Sequence, residues 1–224
     1  MRLDKAIARN GLTRQMAKKA IAGGRARVNG NVVLDPGYLL KPEDEVLLDG
    51  ENARAPENVH LMLHKPAGFL TATEDARGER TVLDLLPEKI RMRKVGPVGR
   101  LDKDTTGLLL LTKDGQLAHR LISPKWDVEK TYYAEIEGEI DDECVRRFAE
   151  GVPLKEFTCK PARLERAGAG ACRVYVSEGK YHQVKRMLAA VGHPVLRLKR
   201  EKIGPVALDP ALSEGEFRPL TPGE

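Results

Sequence analysis

The apolar residues of this 224-residue chain fall into short runs, and the spacing of those runs changes near Val59. Before that point the spacing is helical. Leu3, Ala6 and Ile7 make one face that stops at Asn10-Gly11, and Met16, Ala20 and Ile21 make a second after Thr13, a good N-cap, with Gly23-Gly24 closing the helix. Arg25 to Val33 reads as a hairpin, because Asn29-Gly30 lies between apolar positions and both residues tolerate positive φ. Pro42-Glu43-Asp44 then turns the chain into a short strand, Glu45 to Leu48. These elements make one compact domain of two helices and short strands over residues 1–49, and the polar stretch 50–58, with Gly50 and Pro56, reads as a linker.

From residue 59 to 224 the runs mix both periods. His60 to His64, Thr131 to Glu137 and Cys172 to Val176 have strand character, while Asp142 to Glu150 and Gln183 to Val191 read as helices. Leu83 to Leu86 is a short apolar patch stopped by Pro87. Leu108 to Leu111 fits a buried strand or the start of a helix, since periodicity cannot decide over so short a run. No strand-helix repeat recurs, so the expected class is α+β rather than a doubly wound sheet.

Composition removes several alternatives. Apolar residues at 41% and charged residues at 32% suit a folded domain rather than a disordered or coiled-coil chain. No window approaches the roughly 18 apolar residues of a membrane span. Charges at Arg2, Asp4, Lys5 and Arg9 interrupt any secretory signal, so a cytoplasmic protein is expected. Cys144, Cys159 and Cys172 form no C-x-x-C pair and are expected to be buried free thiols. The formal charge of +5 is local: residues 1–34 carry Arg2, Lys5, Arg9, Arg14, Lys18, Lys19, Arg25 and Arg27 against Asp4 alone. Such a cluster points to a phosphate backbone.

Phosphate loops, dinucleotide glycines and the zinc-deaminase motif are absent, and His60, His64, His119, His182 and His193 show no metal-ligand spacing. Neither a metal nor an organic cofactor is expected. What remains is Gly99-Arg100-Leu101-Asp102-Lys103-Asp104-Thr105-Thr106-Gly107, directly before the four leucines, which holds a carboxylate at the mouth of a core element. From the residues alone either Asp102 or Asp104 fits that place, as does a plain turn or N-cap role.

This stretch resembles the pseudouridine synthase signature G-R-L-D-x-x-T-x-G-L-L-L, in the form of the RsuA-type branch that modifies ribosomal RNA. The resemblance selects Asp102 as the catalytic aspartate. Lys130-Thr131-Tyr132 resembles the family's K-x-Y element, whose tyrosine lies against the target base, and Glu178 to Met187 resembles a third element whose cation, Lys185 here, pairs with the aspartate. Similarity extends to Leu198–Gly204 and Gly215–Leu220, and the N-terminal run resembles the small RNA-binding domain named after ribosomal protein S4.

The resemblance implies a mixed, largely antiparallel sheet with flanking helices in the second domain, and isomerisation of a uridine in small-subunit (16S) ribosomal RNA without a cofactor. The alternatives are a paralogue acting on large-subunit (23S) RNA and a non-enzymatic ribosome-assembly factor; the second has no use for the aspartate. The expected partner is ribosomal RNA within an assembling small subunit, bound by a monomer through Arg100 and the eight N-terminal cations. The chain's 10 aromatics favour one deep pocket over a broad stacking sheet.

Overall fold

The computed structural model describes residues 1–8, 12–41, 43–53 and 59–224, which divide into two compact units. Arg9, the helix end expected at Asn10-Gly11, Pro42 and the linker residues 54–58 lie outside the described residues.

The first unit comprises Met1–Val59 with Pro87–Val95. Helices α1 (Leu3–Ala8) and α2 (Arg14–Ala22) share a core with strands β1 (Ala26–Val28) and β3 (Val46–Leu48), built on Leu3, Ile7, Ala17, Ile21, Val28 and Val46. Thr13 caps α2 by accepting from the Met16 amide at 3.1 Å. Met16 itself is 52% exposed, a correction to the expected face: Ala17, Ala20 and Ile21 form the buried stripe, and Met16 lies just off it. Asn29 and Gly30 take φ of 49° and 80°, closing β1 onto β2 (Asn31–Val32).

The linker reading also needs correction. Asp49 and Gly50, at φ 54° and 85°, close a second hairpin from β3 to β4 (Glu51–Asn52), giving a sheet in the order β2-β1-β3-β4, and Ala53 is buried in the same core. A two-residue strand of Glu and Asn has no apolar pattern to show it. The short helix α3 (Glu88–Arg91) belongs to this unit's second segment.

The second unit comprises His60–Leu86 with Gly96–Glu224. Its strands are β5 (His60–Lys65), β6 (Gly96–Pro97), β7 (Thr106–Thr112), β8 (Lys130–Ile136), β9 (Arg163–Arg166), β10 (Ala171–Val176), β11 (Val195–Ile203), β12 (Val206–Ala207) and β13 (Phe217–Pro219). They form a nine-stranded sheet, β13-β5-β7-β11-β8-β10-β9, with β6 beside β7 and β12 beside β11. The β7–β11 pairing is parallel, and the other strand pairings described are antiparallel. The class is α+β.

The leucine run is strand β7. Leu108 to Leu111 are all buried, as a strand covered on both faces requires. Leu108 and Leu110 pack with Ala118 and Leu121 of α4 (Gly115–Ile122). A second cluster joins β8 and β10 to Cys144 and Phe148 of α5 (Asp142–Glu150) and Met187 and Leu188 of α6 (Gln183–Ala190). Gly107 has φ 103°, and a Cβ there would lie 2.7 Å from the Arg200 amide nitrogen, so the approach of β7 to β11 depends on that glycine. Cys144, Cys159 and Cys172 are free and buried, and burial pushes the Cys172 thiol up to about 11. Among the described residues, no helix is long and apolar enough to cross a membrane.

Candidate active site

Two loops of the second unit meet over the sheet and enclose a cleft of about 730 Å³, within the range of small-ligand sites. One runs from Gly99 to Thr105 and carries Asp102; the other leaves β10 and enters α6 through His182. Side chains from below fasten the first loop on both sides of Asp102. Thr71 Oγ1 donates to the Leu101 carbonyl at 2.7 Å and accepts from its amide at 3.2 Å. Lys65 Nζ donates to the carbonyls of Lys103 and Thr105 at 3.2 and 2.9 Å, and to its neighbour Pro66 at 2.9 Å. Lys65 has no exposed surface. Burial lowers its pKa to about 8, a fall that Asp104 and Asp102 oppose by their charge.

Asp102 reaches the cleft with 27% of its side chain exposed. His182 Nε2 lies 3.4 Å from one carboxylate oxygen and Lys185 Nζ 3.5 Å from the other. The structure therefore brings the expected aspartate and lysine together, but Lys185 makes its hydrogen bond elsewhere, to Asp104 Oδ1 at 2.6 Å. That bond holds the Asp104 carboxyl below the usual range, against the opposing effect of burial. Lys185 does not line the cleft; it approaches Asp102 from the first turn of α6. His182 precedes that turn at φ 49°, and buried Gln183 fixes the same loop by accepting from the Lys180 amide at 3.1 Å and donating to Glu178 at 3.0 Å.

Tyr132 lines the cleft from β8, where it pairs with Arg200 of β11. Arg200 is buried: its Nε donates to the Leu108 carbonyl at 2.8 Å, its Nη1 lies 3.5 Å from the Tyr132 hydroxyl, and its Nη2 has no partner among the described residues. Lys130, two residues before Tyr132 and thus on the same strand face, donates to the Ser177 carbonyl at 3.2 Å. Burial, then repulsion from Arg200, holds the Lys130 ammonium below the usual lysine range, with Asp127 opposing. The cleft thus places a carboxylate and a tyrosine beside interior cations.

Arg100 stands exposed at the same cleft. Of the N-terminal cations, Arg2 and Arg14 donate to buried Asp4 at 3.2 and 3.1 Å, Arg25 to Asp49 at 2.8 Å, and Arg27 to the Gly30 carbonyl at 3.0 Å. Lys5, Lys18 and Lys19 are exposed, without a carboxylate partner among the described residues. Sequence reasoning assigned no role to Lys65, Thr71, His182 or Arg200. Lys65 ended an apolar strand before Pro66 and read as a turn, while His182 and Arg200 lay inside recognised stretches.

A model of the RNA pseudouridylate synthase family matches residues 59–190, which span Asp102, Tyr132 and Lys185. The chain belongs to that family. A model of the S4 domain matches residues 1–46 of this synthase. The synthase is 45% identical over 230 residues to the ribosomal small subunit pseudouridine synthase A of Escherichia coli (strain K12), covering 100% of this chain and 98% of that protein. It is 40% identical over 225 residues to an uncharacterized RNA pseudouridine synthase of Aquifex aeolicus, covering 100% and 94%. A crystal structure of a pseudouridylate synthase superimposes with a TM-score of 0.71 at 41% identity, covering 100% of the synthase and 97% of that chain.

Proposed function

We propose that this synthase isomerises a uridine in small-subunit ribosomal RNA, with Asp102 acting on the sugar of a nucleotide flipped into the cleft. The observation that carries this reading is the setting of Asp102, a carboxylate open to the cleft on a loop fixed by Thr71 and Lys65, with Lys185 3.5 Å away. In the reaction the bond from uracil N1 to the anomeric carbon breaks, the uracil turns, and C5 bonds to that carbon. The proton lost from C5 is balanced by one gained at N1. Attack on the anomeric carbon and removal of a sugar proton both begin from the ionised carboxylate, whose charge Lys185 faces.

Flipping a base costs a few kcal/mol, and stacking on the Tyr132 ring returns about 1–3 kcal/mol of it. As N1 leaves the sugar, negative charge spreads to the uracil carbonyls. The fixed positive potential of Lys130 and Arg200 stabilises that charge without reorganisation. The S4 domain supplies grip on structured RNA. Identity over the whole chain with an enzyme named for the small subunit supports that target over the large subunit.

The test is Asp102→Asn assayed on ribosomal RNA tritiated at uracil C5, where each turnover releases tritium. Release falls about 10³-fold or more while RNA affinity changes less than about threefold. Turnover retained in this variant contradicts the assignment.

A further inference from the structure

Tyr181 is 76% exposed, the highest exposure among the large apolar side chains described, yet it is not a loose side chain. It lines the cleft, and its ring stacks on His182 with centroids 3.8 Å apart and planes 18° from parallel. Consecutive residues of an extended chain point to opposite sides. The left-handed backbone at His182, φ 49°, sets this pair side by side instead. The bonds of Gln183 to Lys180 and Glu178 hold the loop around the pair. One face of the Tyr181 ring therefore rests on His182, whose Nε2 lies 3.4 Å from Asp102, and the remaining surface is open. Arg100 and Ile122, also exposed, line the same cleft.

An open aromatic face in a cleft that also carries an exposed cation and an exposed aliphatic side chain suits a nucleobase with its phosphate. Accepting that the cleft takes a flipped uridine, the adjoining base loses a stacking partner when the uridine leaves the helix, and the cost falls on binding. We propose that Tyr181 is a stacking platform for the nucleotide next to the uridine being isomerised, with His182 backing the platform and registering it against Asp102.

Two measurements decide it. In the tritium-release assay on transcribed small-subunit RNA, Tyr181→Ala raises KM about 5- to 100-fold, the range for loss of one base–aromatic stack, and lowers kcat by less than it raises KM. Tyr181→Phe keeps KM within about twofold of the wild type, since the ring and not the hydroxyl is needed. Leu196→Ala, at an exposed site outside the cleft, changes neither constant. A KM for Tyr181→Ala within about twofold of wild type, or a fall in kcat without a rise in KM, overturns the platform.

The second measurement needs no turnover. A short single-stranded RNA with 2-aminopurine beside its one uridine is titrated with each protein. Wild type and Tyr181→Phe quench the fluorescence more strongly at saturation than Tyr181→Ala does; equal quenching by all three overturns the platform. A wild-type protein that releases no tritium but quenches through Tyr181 contradicts the proposed substrate and leaves the platform standing, so the two failures are distinct.

Discussion

The two units treat buried charge in opposite ways. In the first, buried Asp4 receives two guanidinium groups, from Arg2 and Arg14; burial alone would raise its pKa, and those bonds outweigh it and hold the carboxyl below the usual range. In the second, among the described residues, Lys65 has only backbone carbonyls as hydrogen-bond partners, and Arg200 has one carbonyl, a long contact to Tyr132 and an unpartnered Nη2. Carbonyl dipoles solvate a cation without cancelling it. The first arrangement serves folding; the second keeps positive potential around a cleft that must face a carboxylate and a polyanion.

After the loss of Asp102 itself, the largest expected effect follows from removing the loop's anchor. Lys65→Met takes one donor away from each of three carbonyls and loosens Asp102, so kcat falls about 100-fold, as an error near 1 Å in a reacting group can cause. The same lysine gives the second unit a distinctive pH dependence. Burial lowers its pKa to about 8 in the folded chain against 10.5 for an ordinary lysine, so between those limits the unfolded chain holds more protons and rising pH adds stability. Activity moves the other way as the ammonium loses a donor. Thermal melts and rate profiles from pH 7 to about 10, run on wild type and Lys65→Met, check both signs, and the variant lacks the added stability.

In the first unit, Asp4→Asn weakens a buried charge-assisted pair and costs about 2 kcal/mol by denaturant titration. Asp4 has a pH signature of the same sign in an acid window: its contribution is present above the usual carboxylate pKa and is lost as acid protonates it. Arg200→Met sharpens the contrast, because an incompletely partnered buried cation gives way to an apolar side chain of similar size. Stability changes by less than about 1 kcal/mol while kcat falls about tenfold or more.

Smaller effects come from the surface. Asp104→Asn frees Lys185 from its 2.6 Å bond and removes a negative charge from a residue whose side chain is 75% exposed, lowering KM for RNA about two- to threefold at low salt. Lys5→Ala, Lys18→Ala and Lys19→Ala each reduce the slope of log affinity against log salt by about one, measured by titration at several salt concentrations.

Features resting on neighbours in sequence were legible before the structure. Asn29-Gly30 announced its hairpin, and Asp142–Glu150 was bounded as a helix, because turn and cap chemistry act over a few residues. The Asp49-Gly50 hairpin was missed since its second strand buries nothing, and β7 was undecided because a strand covered on both faces has no alternation. The signature residues could be named from motifs. The groups that fix them could not: Lys65 meets Thr105 across 40 residues and Arg200 meets Leu108 across 92, distances that local pattern does not span.

We propose Asp102 as the group that converts a uridine of small-subunit ribosomal RNA. The most direct measurement is a pseudouridine map of both ribosomal RNAs from cells lacking this protein, complemented with the wild-type chain or with Asp102→Asn. The expected result is one small-subunit pseudouridine lost in the deletion, restored by the wild type and not by Asp102→Asn. An unchanged map, a missing site confined to the large subunit, or restoration by Asp102→Asn contradicts it.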